Sequence, residues 1–159
     1  MEFRQIQPED DAPLAAIVRR CLEDGGLDVP GTVYFDPELD HLSDFYLADP
    51  KTRWYLVVVD DEGVLQGGVG LCQLAWDAGT VELQKLYLTS QVRGQGLGRV
   101  LMEKAEVQAR AMGYGRLYLE THHNLAPAIG MYRHLGFFEI ERPAEVMHST
   151  MDTFFAKAL

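Results

Sequence analysis

Apolar residues recur along this chain with two periods, and the switches between them mark out its elements. Phe3 to Ile6 reads as a short first strand. Asp10-Asp11-Ala12-Pro13 has the acidic residues and early proline of a helix start, after which Leu14, Ile17, Val18, Cys21 and Leu22 recur at helical spacing until Gly25-Gly26. A loop over 25–36 follows, and Asp36-Pro37 opens a second helix carrying Leu39, Leu42, Phe45, Tyr46 and Leu47. Trp54 to Val59, Gly67 to Trp76 and Val81 to Leu88 read as strands, the first two joined by the turn Asp60-Asp61-Glu62-Gly63. Arg99 to Met112 is an amphipathic helix whose stripe is Leu97, Leu101, Ala105 and Ala109, with Gly113 as its stop. Arg116 to Thr121 is a fifth strand. Asn124 reads as the N-cap of a further helix, with Pro127 in its first turn, where a missing N–H costs little, and Gly136 at its end. Phe137 to Ile140 and Met151 to Lys157 complete the strands. The expected fold is α+β, one domain over residues 1–159, with a mixed, mostly antiparallel central sheet and about four flanking helices.

Charge changes this picture by excluding partners. The net charge is −10, and it is uneven: residues 1–62 hold 15 acidic against 5 basic side chains, while residues 63–159 hold 9 of each. An acidic chain suits neither nucleic acid nor an anionic membrane surface. The neutral half can tolerate an anionic cofactor, and the acidic half favours a cationic acceptor such as an amine. No apolar run approaches the ~20 residues of a membrane span, and Met1-Glu2-Phe3-Arg4-Gln5 has no apolar signal core, so the cytoplasm is the expected compartment. Cys21 and Cys72 lie far apart with no metal-like spacing and read as small buried hydrophobes in a reducing compartment. No metal is expected.

The chemistry concentrates at Gln91-Val92-Arg93-Gly94-Gln95-Gly96-Leu97-Gly98, between the strand Val81–Leu88 and the helix after it. Such a turn exposes successive backbone N–H groups at a helix N-terminus, where the first donors lack partners and the dipole is positive. That is an anion site, suited to a diphosphate. A nucleoside-triphosphate loop would need Lys-Ser/Thr after its last glycine, but Arg99-Val100 follows Gly98. A dinucleotide fingerprint would need G-x-G-x-x-G after a first strand, but the spacing here is G-x-G-x-G and comes late in the chain.

Arg93-Gly94-Gln95-Gly96-Leu97-Gly98, preceded by Leu86-Tyr87-Leu88, resembles the acetyl-coenzyme-A signature of the GNAT acetyltransferase superfamily. Ala128-Ile129-Gly130-Met131-Tyr132-Arg133-His134-Leu135-Gly136-Phe137 resembles that superfamily's second signature, in the family's order and at its separation. The resemblance implies the GNAT acyl-CoA N-acyltransferase fold, with the fourth and fifth strands splayed around the pantetheine arm of acetyl-CoA as co-substrate. It implies main-chain contacts to that arm from Leu86, Tyr87 and Leu88, and a diphosphate surrounded by Val92, Arg93, Gly94, Gly96, Gly98 and Arg99. Many relatives have a cofactor-binding asparagine seven residues before the tyrosine; here Leu125 holds that place and Asn124 is eight before, so Asn124 is a cofactor contact or a plain cap.

Acetyl transfer to an amine poses two proton problems. An amine of pKa about 10.4 is roughly three units from its neutral form near pH 7, a cost of about 4 kcal/mol, which a carboxylate base offsets in part. The leaving thiolate then needs a proton, which a positioned phenol can supply. Tyr132 matches the family's usual tyrosine acid. Glu82, read at the start of the fourth strand on one face with Gln84, Leu86 and Leu88, is the base, with Glu120, His122 and His123 as competitors. Gly31, Tyr34, Phe35 and Tyr46 are expected to wall the acceptor site. The acceptor is expected to be a small molecule or amino acid, with a protein amine as the alternative. A non-catalytic acyl-CoA sensor is the other reading. The assembly would be a monomer or homodimer.

Overall fold

The computed structural model describes all 159 residues. Seven strands form one sheet: β1 (Glu2–Gln5), β2 (Arg53–Val59), β3 (Leu65–Leu74), β4 (Asp77–Leu88), β5 (Arg116–Thr121), β6 (Phe138–Ile140) and β7 (Thr153–Ala158). They lie in the order β1-β2-β3-β4-β5-β7-β6. Every neighbouring pair is antiparallel except β4 and β5, which run parallel because α3 (Leu97–Ala111) crosses between them.

The sheet is covered on both faces, and strand alternation distributes the core. Tyr55, Val57 and Val59 of β2 pack with Leu14, Val18 and Leu22 of α1 (Asp11–Asp24) and with Leu42 and Tyr46 of α2 (Leu42–Leu47). Val58, between them in sequence, points the other way and joins Leu101, Met102, Ala105 and Ala109 of α3 and Tyr132 of α4 (Ala126–His134). These two apolar layers are what hold the helices in register with the strands that carry the site.

The strand Val81–Leu88 does not alternate as its sequence suggests. Gly70 pairs with Gln84 but Gly68 pairs with Tyr87, so β4 carries one extra residue between them. This is a β-bulge, and Lys85 sits in it as the single non-glycine residue with positive φ, at 52°. The Tyr55 hydroxyl donates to the Lys85 carbonyl at 2.8 Å and pins the distortion. Opposite, Gly67 has φ 142°, and a Cβ there would stand 2.0 Å from the Tyr87 carbonyl oxygen. Below the bulge Val81 and Leu83 face α3; above it Leu86 and Leu88 do, while Tyr87 joins the α1 side. Glu82 therefore shares its face with Gln84, Lys85 and Tyr87, and the expectation that Leu86 and Leu88 accompany it is corrected. It also lies in mid-strand, since β4 begins at Asp77.

Most other boundaries move by one or two residues. α3 begins at Leu97, with Gly96 as its N-cap at φ 80°. The segment after Asp36-Pro37 is a 3₁₀ turn, Leu39–His41, leading into the six-residue α2. The cysteines are half-buried, not fully enclosed. No helix is long and apolar enough to cross a membrane.

Candidate active site

β4 and β5 pair only at Thr80–Arg116, Val81–Leu117 and Glu82–Tyr118. Past that rung they diverge, and a cleft of about 300 Å³ opens between Leu83–Leu88 on one side and Leu119–Thr121 on the other. The bulge turns β4 away; β5 instead follows β7, with which it stays paired to Thr121–Thr153. The rest of the lining comes from Cys21, Leu22 and Leu27 near α1, Ala128, Met131 and Tyr132 of α4, and His148 and Met151 of the loop joining β6 and β7.

One mouth of the cleft is the glycine-rich turn. No backbone N–H from Arg93 to Arg99 has an acceptor within the protein, and the first α3 bond from this turn is Val100 to Gly96, at 3.2 Å. Gly94 and Gly96 hold φ of 75° and 80°, and nothing stands within 4 Å of where their Cβ atoms would be. The turn thus leaves a row of unpartnered donors at the N-terminus of a fifteen-residue helix, with free space beside Gly94 and Gly96. Val92 differs from expectation: its N–H is spent on the Thr89 carbonyl at 3.2 Å and its side chain is buried. The Arg93 side chain folds back, Nε donating to the Leu88 carbonyl at 2.9 Å and Nη2 lying 3.0 Å from Cys21 Sγ. Cys21 Sγ also lies 3.3 Å from the Leu88 oxygen. Arg99 pairs with Glu103 one turn along α3, at 2.8 Å. Asn124 caps nothing: Leu125 is the N-cap of α4, and Asn124 Nδ2 donates to the Gly25 carbonyl at 3.0 Å, tying the end of α1 to the loop after β5.

Tyr132 lines the cleft from α4. Its ring packs between Phe137 and Phe155, at centroid distances of 6.1 and 6.0 Å. Its hydroxyl has no protein partner, yet no polar side-chain atom in the protein is both buried and unpartnered, so the hydroxyl opens onto the cleft. Burial pushes its pKa up to about 12, which keeps the phenol protonated.

The far end holds charge. Glu82 accepts a hydrogen bond from Gln84 Nε2 at 3.2 Å, and Gln84 is in turn held by the Tyr46 hydroxyl, which donates to its Oε1 at 2.6 Å. Burial, and after it the negative charge of Glu120, pushes the Glu82 carboxyl up to about 7. Glu120 accepts from the Tyr118 hydroxyl at 3.0 Å and faces His148 Nδ1 at 2.8 Å. The other ring nitrogen of His148 meets Asp36 at 2.7 Å, and Asp36 and Glu38 flank Lys85 Nζ at 3.1 and 3.5 Å. Hydrogen bonds to Asp36 and Glu120 push His148 up to about 10, so its ring is a cation. Burial opposes the charge on Asp36, but His148 and Lys85 more than offset it and hold its carboxyl below the usual range.

The competitors for the base separate. Glu120 lines the cleft beside Glu82. His122 and His123 stack on each other at 4.2 Å beyond the end of β5 and turn toward Asp152, outside the cleft lining. The ligand-type atoms of these three side chains lie within 4.8 Å of one another, but His122 Nδ1 already accepts the Asn124 N–H at 3.1 Å and His123 Nδ1 is paired with Asp152. Of the expected acceptor wall, Gly31, Tyr34, Phe35 and Tyr46 all miss the lining. Val33 and Leu27 take that place, Phe35 faces solvent, and Tyr46 acts one layer behind through Gln84.

His148, Asp36 and Lys85 escaped sequence reasoning. His148 is 28 residues from Glu120 and 112 from Asp36 in the chain, so no local pattern joins them. Lys85 alone left a signal: a lysine inside the apolar run Val81–Leu88 must either bury with a counter-ion or break the alternation, and it does both.

The model of the acetyltransferase (GNAT) family matches residues 17–137. An uncharacterized N-acetyltransferase of Escherichia coli, YjgM, is 37% identical over 141 residues, covering 87% of this chain and 83% of the relative. Among solved structures, a GNAT-family acetyltransferase of Staphylococcus aureus superposes with a TM-score of 0.84 at 17% identity, over 99% of this chain and 98% of that one. The protein yncA of Salmonella typhimurium, solved with its cofactor acetyl-CoA, superposes with a TM-score of 0.76 at 22% identity, over 99% of this chain and 93% of that one.

Proposed function

The chain belongs to the GNAT acetyltransferase family, and from that premise we propose that it transfers the acetyl group of acetyl-CoA directly to a primary amine of a small molecule or amino acid, with Glu82 as base and Tyr132 as acid. The observation that carries this reading is the joint lining of one cleft by an elevated carboxyl and a protonated, unpartnered phenol, with unpaired amides at its mouth.

The mouth fits the co-substrate. Amides of Arg93, Gly94, Gly96, Gly98 and Arg99 would hold the diphosphate, and the unpaired length of β4 at Leu86, Tyr87 and Leu88 would border the pantetheine arm. The Val92 N–H is spent on the Thr89 carbonyl, so Val92 would border the diphosphate without donating to it, while Asn124, with one amide hydrogen on the Gly25 carbonyl, keeps a second hydrogen and its oxygen for a cofactor contact. The bound thioester supplies an activated acyl carbonyl and a thiol leaving group. Glu82 takes the ammonium proton of the acceptor, directly or through water, freeing the nitrogen lone pair for the acyl carbon. A carboxyl near 7 suits a general base, being ionised often enough to accept the proton and basic enough to hold it. As the carbon–sulfur bond breaks, Tyr132 donates its hydroxyl proton to the departing sulfur, and the second proton of the attacking nitrogen is released to solvent, from which the phenolate is reprotonated. Glu82 and Glu120 in the lining, with Asp36 and Glu38 behind, favour a cationic acceptor even with Lys85 and His148 among them.

Thiol release from acetyl-CoA across a panel of small primary amines tests this. Amine-dependent release with a matching acetylated product is expected. Saturable acetyl-CoA binding with no release on any amine or peptide would favour an acyl-CoA sensor instead.

A further inference from the structure

Two carboxylates on neighbouring strands line the acceptor end, and they are loaded differently. Glu120 has both oxygens engaged, one by the Tyr118 hydroxyl at 3.0 Å and one by His148 Nδ1 at 2.8 Å. Glu82 accepts only from a neutral amide, Gln84 Nε2, at 3.2 Å. Carboxylates sharing a site cannot both carry full charge cheaply, so the stronger donors decide which one keeps the charge and which one exchanges a proton.

His148 is the deciding partner in that choice. It comes from the loop between β6 and β7, lines the cleft, and spans from Glu120 on β5 to Asp36 in the loop before α2. The neighbouring backbone supports its reach: Thr150 N–H donates to the Gly31 carbonyl at 3.0 Å and Thr150 Oγ1 to the Pro30 carbonyl at 2.7 Å, fastening the two loops together. Besides His148, the titratable or charged groups around Glu82 are Lys85 on its own strand, Cys72 opposite it on β3, Tyr118 and Glu120 on β5, Tyr46 on α2, and Asp36 and Glu38 before α2. Lys85 is already flanked by Asp36 and Glu38, which leaves His148 as the cation directly on the Glu120 carboxylate.

We propose that His148 is a positioning residue for the proton transfer: by bridging Asp36 and Glu120 it commits Glu120 to a fixed ion pair and leaves Glu82 as the carboxyl that exchanges the acceptor's proton. This rests on the reading of Glu82 as base. His148 touches neither acyl group nor acceptor nitrogen in this role; it acts through Glu120. Removing its charge sets two unbalanced carboxylates side by side and makes Glu82 harder to ionise.

The test reads Glu82 itself, by carbon NMR titration of carboxyl-labelled glutamate, alongside the pH profile of kcat/KM. His148→Gln is expected to raise the Glu82 midpoint and the acid limb of the profile together, by about one pH unit, the size of effect a nearby opposite charge exerts. His148→Lys keeps a cation and is expected to return both toward the parent. Glu120→Gln is expected to lower the Glu82 midpoint, and to shrink the effect of His148→Gln in the double variant. Should the His148→Gln protein not fold, His148→Asn is read in its place by the same titration. A Glu82 midpoint unmoved by Glu120→Gln, or by His148→Gln, overturns the proposal, as do equal shifts in the Gln and Lys variants. Failure of the base reading looks different: Glu82→Gln would keep the parent's acid limb whatever the NMR midpoints do.

Discussion

Glu82 stands opposite Tyr118 on the last rung that β4 and β5 share, so the residue that ends the pairing also heads the cleft. Its carboxyl is placed where two strands stop satisfying each other, with a bulge three residues on and a second carboxylate, Glu120, two residues along the partner strand. Burial and that neighbour make it the group whose ionisation governs the proposed reaction near neutral pH.

Because only the ionised carboxylate accepts a proton, kcat/KM should rise with pH through about 7 and then level as far as this group is concerned. Glu82→Gln should remove that limb and lower kcat about 10²-fold, the lower end of what a general base supplies. Glutamine keeps the size and the contact with Gln84, so acetyl-CoA affinity should change little. A pH profile that overlays the parent's would eliminate Glu82 as base.

Tyr132→Phe removes one hydroxyl from a ring packed between Phe137 and Phe155. The hydroxyl has no protein partner to orphan, so the thermal midpoint should stay close to the parent's. Turnover should fall about 10²-fold with the acetyl-CoA dissociation constant within about a factor of two. Stopped assays of thiol release beside calorimetric binding separate the two quantities. Unaltered kcat would refute the acid role.

Gly67→Ala should be among the most damaging small substitutions in the chain. At φ 142° an L side chain is strained, and its Cβ would overlap the Tyr87 carbonyl at 2.0 Å. Backbone must move, and the backbone in question is the upper arm of the β4 bulge. A loss of more than ~3 kcal/mol is expected, by analogy with other overpacking and special-dihedral changes. Gly113→Ala, also at positive φ but with nothing within 4 Å, is the control and should cost only about 1 kcal/mol. Denaturant titration of both proteins checks the contrast.

Stability should decline toward alkaline pH, and His148 should be a principal cause. Its folded value, about 10, lies above the ordinary 6.5, so the folded state binds the extra proton. That contribution is complete below about 6.5 and is lost as pH rises through about 10. Glu82 acts with the same sign over a lower window: its raised carboxyl makes ionisation between about 4.5 and 7 cost stability. Unfolding free energies measured from pH 6 to 10 should fall by something on the order of 2–4 kcal/mol, and His148→Gln should flatten the slope above pH 7. A parent curve flat over that range would contradict the ion-pair geometry.

Local order was written plainly along the chain. Period-two and helical stretches located every strand and the main helices, Gly25-Gly26 and Gly113 stopped α1 and α3, and the alternating glycines marked a turn whose amides from Arg93 to Arg99 are unpartnered. These features depend on neighbours a few residues apart, and the φ preference of glycine or the missing N–H of proline acts wherever the residue stands. What tertiary structure alone decided was the choice of face and partner. The bulge at Lys85 reversed the side-chain alternation of β4, because the Tyr55 hydroxyl and the side-chain-free Gly67 on adjacent strands stabilise it. The partners of the Val92 N–H and the Asn124 amide, the Thr89 and Gly25 carbonyls, were likewise set by folding, which brought them within reach. The Asp36–His148–Glu120 bridge was invisible for the same reason: electrostatic coupling depends on distance in space, and 112 residues of chain had to fold before His148 lay 2.7 Å from Asp36.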